Sequence, residues 1–201
     1  MASVRVGVSY TEVEIMVAAI IDPTRGRVSV AASPHAEAVR RGSLGGLRVG
    51  LLGNTKRNAE QILDAVGACL QRRGAGQLVR RTKRQFAMPL PDDLVEELVR
   101  ECDVVVIGVG DCGSCSASAV ADGIALEAVG IPTAVVCTTE FATTSRAMAQ
   151  LKGANDFPFL LTEHPISNLT AAQISARGED LADDVANRLV TADSALTGTP
   201  A

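Results

Sequence analysis

The sequence predicts an α/β fold: a flavodoxin-like doubly wound sheet of five parallel strands, with an N-terminal β-hairpin arm. Two patterns indicate the sheet, because five short apolar segments recur between residues 47 and 162 and an amphipathic helical segment follows each one. The length of 201 residues, with 47% hydrophobic residues, suits one core. We therefore expect an arm and connector over residues 1–46, an α/β domain over 47–190 and a flexible tail over 191–201.

The arm is predicted from two strand-like segments, residues 13–21 and 27–32. Pro23 and Gly26 lie between them, and these residue types are typical of a turn. The apolar hairpin exceeds what the five-unit core requires. We therefore expect it to pack on a second subunit and form a homodimer.

The five βα units follow the connector in strict alternation. Each predicted strand is uniformly apolar, as expected for a parallel strand covered on both faces. The predicted strands cover residues 47–52, 77–82, 103–108, 132–137 and 157–162. The predicted helices cover residues 58–73, 92–100, 116–129, 143–152 and 169–190.

Polar and reactive side chains follow the strands, at the edge where open α/β sheets bind ligands. They are residues 54–56, Lys83, residues 111–115, residues 137–140 and His164. Since the carboxyl ends of parallel strands share one edge, we expect these groups to converge.

The motif Cys112-Gly-Ser-Cys115 is the most distinctive feature of that edge. It lies between an apolar strand and a helix start, where partial positive charge lowers a thiol pKa. The spacing allows one cysteine to attack and the other to resolve a mixed disulfide. A structural zinc site would need two further ligands. A dinucleotide fingerprint beginning at Gly108 is also present, but Asp111 would repel a pyrophosphate.

The motif and its surroundings resemble the UGSC family, in which the first motif position is often selenocysteine. This resemblance implies that Cys112 is the chalcogen nucleophile and Cys115 its partner. It does not imply a substrate. The residues that carry it are 110–115, Asp122, Glu127 and 130–132, with weaker matches at 22–24, Lys56, Lys83 and 164–165.

Several neighbours are candidates for binding a small anionic substrate. Lys56 and Lys83 could supply positive charge or bind a carboxylate, or each could be a surface charge. Thr138 and Thr139 could donate hydrogen bonds to a carboxylate or cap the next helix. Asp111 and Ser114, inside the motif, are assigned to substrate binding as well. His164 is a candidate acid or base, since its pKa lies near neutrality.

The residues therefore predict a thiol-dependent enzyme that catalyses reduction or thiol or sulfur transfer, with no cofactor and a thiol reductant as partner. Two alternatives stay open. Cys112 and Cys137 could act as acid and base, an arrangement that resembles the aspartate and glutamate racemase superfamily, although Cys137 could equally be an inert buried thiol. The chain could also be a non-catalytic metal-binding or redox-sensing module.

Composition excludes other classes of partner. The net charge of −4 and the absence of Trp argue against nucleic acid, and the basic run over residues 80–84 is interpreted as a solvated edge. No apolar segment is long enough to span a membrane. Without a recognisable signal peptide and with an odd number of cysteines, five, we expect a cytoplasmic protein.

Overall fold

A computed structural model describes residues 37–190 of the chain. The predicted hairpin arm and the predicted flexible tail lie outside these residues. The predicted five-stranded parallel sheet is confirmed, and its strand order is β2-β1-β3-β4-β5, the flavodoxin-like order. The strands are β1 (Val49–Gly53), β2 (Leu78–Thr82), β3 (Val104–Gly110), β4 (Thr133–Thr138) and β5 (Leu160–Thr162).

Within the described residues, five α-helices and one short 3₁₀ helix alternate with the strands. The helices are α1 (Ala59–Arg72), α2 (Asp92–Glu101), α3 (Gly113–Ala128), α4 (Ala142–Leu151) and α5 (Ala171–Leu189), and the 3₁₀ turn at Thr139–Phe141 precedes α4. No helix within residues 37–190 is both long and apolar enough to cross a membrane.

The sheet is covered on both faces because neighbouring strand residues point in opposite directions. In β1, Leu51 belongs to a core shared with α1 and α5, and Leu52 to a second core shared with α2, α3 and α4. Both side chains are at most 2% exposed. The uniformly apolar strands of the sequence reflect this double burial.

Three element boundaries differ from the sequence prediction in an informative way. Strand β3 continues to Gly110, two residues beyond the predicted end at 108. Helix α3 begins at Gly113 rather than 116, because the Cys112 sulfur, not a later residue, caps it. Strand β5 begins at Leu160 rather than 157, which is consistent with Pro158 having no N–H to donate to a strand ladder.

Glu127, near the end of α3, attaches the connector to the domain. Its buried carboxylate accepts hydrogen bonds from the Ala38 N–H at 2.7 Å, the Arg40 guanidinium at 2.6 Å and the Thr133 N–H at 2.8 Å. Arg188 of α5 donates to the same carboxylate at 3.2 Å. This cluster lies at the amino end of β4. The cysteine motif lies at the other end of the sheet, where the strands have their carboxyl ends.

Candidate functional site

The loops after β1 and β3 meet at the switch point of the sheet. These strands are neighbours, and α1 packs on one face whereas α3 packs on the other. Ligands of doubly wound proteins bind at such a crevice. Lys56 lies in the loop after β1, and Cys112 directly follows β3, so the topology brings the two predicted site residues to one place.

Gly110 lets the start of α3 approach the end of β3 closely. A Cβ atom at this position would lie 2.7 Å from the Cα of Ser116 and 2.9 Å from the Sγ of Cys137. Both distances are shorter than real Cβ contacts allow. The absence of a side chain at Gly110 therefore determines where the first turn of α3, and with it the motif, can lie.

Cys112 and Cys115 cap this helix reciprocally. The Sγ of Cys112 accepts the Cys115 N–H at 3.4 Å, and the Sγ of Cys115 accepts the Cys112 N–H at 2.9 Å and the Asp111 N–H at 3.1 Å. The two sulfur atoms are 2.8 Å apart, and both thiols are free. The helix start thus replaces the usual oxygen of a capping box with sulfur.

The two thiols have opposite acidities. Partial burial raises the pKa of Cys112, but hydrogen bonds from the Cys115 thiol, the Cys115 N–H and the Ser114 hydroxyl, together with the charge of Lys56, outweigh it and lower the pKa overall. Burial and the neighbouring Cys112 raise the pKa of Cys115 to about 12. The more exposed member of the pair, Cys112, is therefore the one that favours the thiolate.

Lys56 is held near Cys112 by its own loop. Its N–H donates to the buried Asn54 side chain at 3.3 Å, and Asn54 in turn donates to the Val109 carbonyl at 3.0 Å. The ammonium lies 4.4 Å from the centroid of the Phe86 ring, a cation–π contact. This arrangement leaves a half-buried cation beside the reactive sulfur.

Asp111 and Thr138 orient His164. The Nδ1 of His164 lies 2.8 Å from the Asp111 Oδ1 and 3.1 Å from the Thr138 Oγ1. Because the Thr138 hydroxyl donates to the Gly110 carbonyl at 3.3 Å, it accepts from Nδ1, which therefore carries a proton. The Phe141 ring packs edge-on against the imidazole at 5.5 Å. Nε2 is left as the nitrogen that can exchange a proton with a ligand.

Two predicted site residues are buried. Lys83 is 4% exposed and forms an ion pair with Asp122, so its charge is neutralised within the protein instead of facing Cys112. Cys137 is fully buried in the second core, and burial raises its pKa to about 11. Ser114 and Thr139 are exposed, and the Ser114 hydroxyl lies 3.6 Å from the Cys112 sulfur.

Sequence reasoning placed Asn54 among the converging polar groups without a role, and it did not identify Phe86, Phe141 or the contact of Asp122 with Lys83. The aromatic residues are isolated in the sequence and only the fold brings them to Lys56 and His164. For Asp122 a signal was available, since it lies seven residues after Cys115 and so on the same face of a helix. Among the residues described, no three His, Cys, Asp or Glu side chains form a group that could hold a metal ion.

Comparison with known proteins identifies a family. A family model described as "UGSC family" matches residues 19–191. A search of the curated proteins found no match. Among solved structures, a diflavin flavoprotein from Nostoc sp. is similar, with 15% identity, a TM-score of 0.39, and coverage of 72% of this chain and 96% of that one. The family model spans most of the sequence, including the cysteine motif. The chain therefore belongs to the UGSC family.

Proposed function

We propose that this chain is a thiol-dependent enzyme that reduces a small anionic substrate, or transfers a thiol or sulfur group from it, through a mixed disulfide on Cys112. One observation carries the proposal: two free sulfurs 2.8 Å apart, of which the more exposed has a lowered pKa and the buried one a raised pKa. This asymmetry suits an attacking thiolate and a protonated resolving thiol.

The reaction balances as a two-step exchange. The Cys112 thiolate attacks one sulfur of a substrate S–S bond, and the other sulfur leaves as a thiolate. The leaving group takes a proton from solvent or, when the imidazole carries a second proton, from His164 Nε2. Cys115 then loses its proton and attacks the Cys112 sulfur, which releases the second substrate thiol. The oxidised Cys112–Cys115 pair returns to the dithiol by exchange with a thiol reductant.

The neighbourhood of Cys112 favours a substrate with negative charge. Lys56 is half-buried and contributes to the lowered pKa of Cys112, so it attracts an anion to the same place. Its aromatic contact with Phe86 restricts the side chain without neutralising it. We propose that Lys56 binds the substrate carboxylate or an equivalent anionic group.

A mild oxidant tests the proposal. Titration with oxidised glutathione, followed by intact-mass and peptide analysis, should yield one intramolecular Cys112–Cys115 disulfide in the wild-type protein. Neither Cys112→Ser nor Cys115→Ser should form it. Cys102→Ser is the matched control. Cys102 is buried just before the amino end of β3, away from the motif, so its loss should leave the disulfide unchanged. A wild-type protein that keeps both thiols reduced under these conditions would contradict the proposal.

The racemase-like alternative requires Cys137 to exchange a proton with the substrate. Its complete burial and raised pKa speak against that role. Full activity in Cys115→Ser, together with alkylation of Cys137 in the native protein, would favour this alternative over the redox mechanism.

A further inference from the structure

The loop after β2, residues 83–90, is fastened to α3 at both of its ends. At its start, the Lys83 ammonium donates to the Ser118 hydroxyl at 2.7 Å and forms an ion pair with Asp122. At its end, the Leu90 N–H donates to the Asp122 carboxylate at 3.0 Å. The two charged side chains are at most 4% exposed. The loop therefore has a fixed position relative to the helix whose first turn carries the cysteine motif.

A turn in the middle of this loop presents Phe86. The Met88 N–H donates to the Gln85 carbonyl at 3.0 Å, and this hydrogen bond closes the turn around Phe86. The Ser118 hydroxyl donates to the Met88 carbonyl at 2.7 Å, so the turn is attached to α3 as well. Phe86 lines a narrow cleft together with Cys115. The turn thus places an aromatic ring next to the motif.

The Phe86 ring holds the Lys56 ammonium on the same side of the site. The Nζ atom of Lys56 lies 4.4 Å from the centroid of the ring, which is within the range of a cation–π contact. A lysine side chain is a flexible four-carbon stem, and without a partner its ammonium would spread over many rotamers. Because the ring carries no net charge, the contact restricts the ammonium and leaves its positive charge available to an anion.

We infer that Phe86 is a positioning residue that makes the site selective for anionic substrates, and that the buried Lys83–Asp122 pair anchors its loop. This inference rests on the proposed function, in which the Cys112 thiolate attacks a substrate S–S bond. An anionic group of the substrate pairs with the Lys56 ammonium, which Phe86 holds in place, and this contact brings the S–S bond to Cys112. A substrate without such a group gains nothing from the contact.

Two disulfide reagents of different charge test the inference. 5,5′-Dithiobis(2-nitrobenzoate) carries two carboxylates, whereas 4,4′-dithiodipyridine is uncharged at pH 7, and each releases a light-absorbing product when Cys112 attacks it. The ratio of the two first-step rates, measured by stopped flow, therefore reports the preference for an anion. The intrinsic reactivity of the Cys112 thiolate affects both rates and cancels from the ratio. Lys56→Gln should lower this ratio and sets its lower limit.

Phe86→Leu keeps an apolar side chain and removes the aromatic ring. It should lower the ratio by about 2-fold to 5-fold, which corresponds to a cation–π contact of about 0.5–1 kcal/mol. Phe86→Tyr keeps the ring and should keep the wild-type ratio. Ser118→Ala removes the hydrogen bond to the Met88 carbonyl and should lower the ratio in the same direction. Phe159→Leu is the matched control, because this ring lies just before the amino end of β5 and its centroid is 5.9 Å from the Arg146 guanidinium.

A double variant separates positioning from a merely structural effect. In the Lys56→Gln background, Phe86→Leu should leave the ratio unchanged, because the ring then has no ammonium to hold. A wild-type ratio in Phe86→Leu, or a further fall of the ratio in the double variant, overturns the inference. A wild-type ratio in Ser118→Ala overturns the anchoring of the loop, and this variant carries the test if Phe86→Leu does not fold.

Failure of the proposed function itself gives different results. A wild-type ratio in Lys56→Gln overturns the role of Lys56 in binding the anion, and the inference falls with it. A wild-type protein that releases one equivalent of product from either reagent, instead of two, overturns the exchange between Cys112 and Cys115.

Discussion

The buried Lys83–Asp122 pair should reveal itself in stability measurements through a double-mutant cycle. Each side chain is at most 4% exposed, so removing either one leaves an uncompensated charge inside the protein. Such a loss costs about 3–5 kcal/mol. Asp122→Leu also strands the Leu90 N–H, which adds about 1 kcal/mol. We therefore expect Lys83→Met to lose about 3–5 kcal/mol of unfolding free energy and Asp122→Leu slightly more.

The double variant should be much less destabilised than the sum of the two single variants. With both charges gone, the site is filled by apolar side chains, a replacement of a buried ion pair that is often neutral or stabilising. Urea unfolding followed by circular dichroism measures all four free energies, provided that the slope against urea is the same in each. A cost below about 1 kcal/mol for Lys83→Met would refute the reasoning, because that value is typical of a solvent-exposed pair. Additive losses in the double variant would refute it too.

The other predictions concern the surroundings of Cys112 and the oligomeric state. Lys56→Gln should shift the pH midpoint for iodoacetamide alkylation of Cys112 upward, because the lysine charge lowers the pKa of Cys112; an unchanged midpoint would show that the charge does not act there. Gly110→Ala should destabilise the fold by about 1–3 kcal/mol in chemical unfolding, because its Cβ would collide with Ser116 and Cys137, and wild-type stability would contradict the close approach. Cys137 should be alkylated only after unfolding, as peptide mass spectrometry can establish. Sedimentation should give a dimer, and a monomer would refute the assignment of the apolar hairpin.

The sheet and the position of the cysteine motif follow from local sequence patterns. Uniformly apolar strands alternating with amphipathic helices determine a parallel sheet, and the carboxyl-edge rule then places Lys56, Cys112 and His164 together. The predicted start of α3 at residue 116 is three residues late, because the sulfur of Cys112 caps the helix and Gly113 begins it. Cysteine is not among the preferred capping residues, so composition offers no signal for it.

The burial of Lys83 could not be predicted from the sequence. Like Lys56, Lys83 follows the carboxyl end of a strand. The basic run around it is typical of a solvated surface. Its ammonium is buried against Ser118 and Asp122, two side chains of α3. That contact joins residues 39 positions apart, and no local periodicity predicts it.

Residues that are distant in the sequence give the two cysteines different surroundings. Both lie within one helical turn and share backbone hydrogen bonds, so their sequence context alone gives no reason for different roles. Outside the helix, Lys56 and the His164–Asp111 pair adjoin Cys112, where a substrate can approach. On the buried side, Cys115 lines a narrow cleft that Lys83 and Asp122 also line. Under the proposed function, this arrangement predicts an order of events: Cys112 attacks from the surface, and Cys115 then releases the product from the buried side.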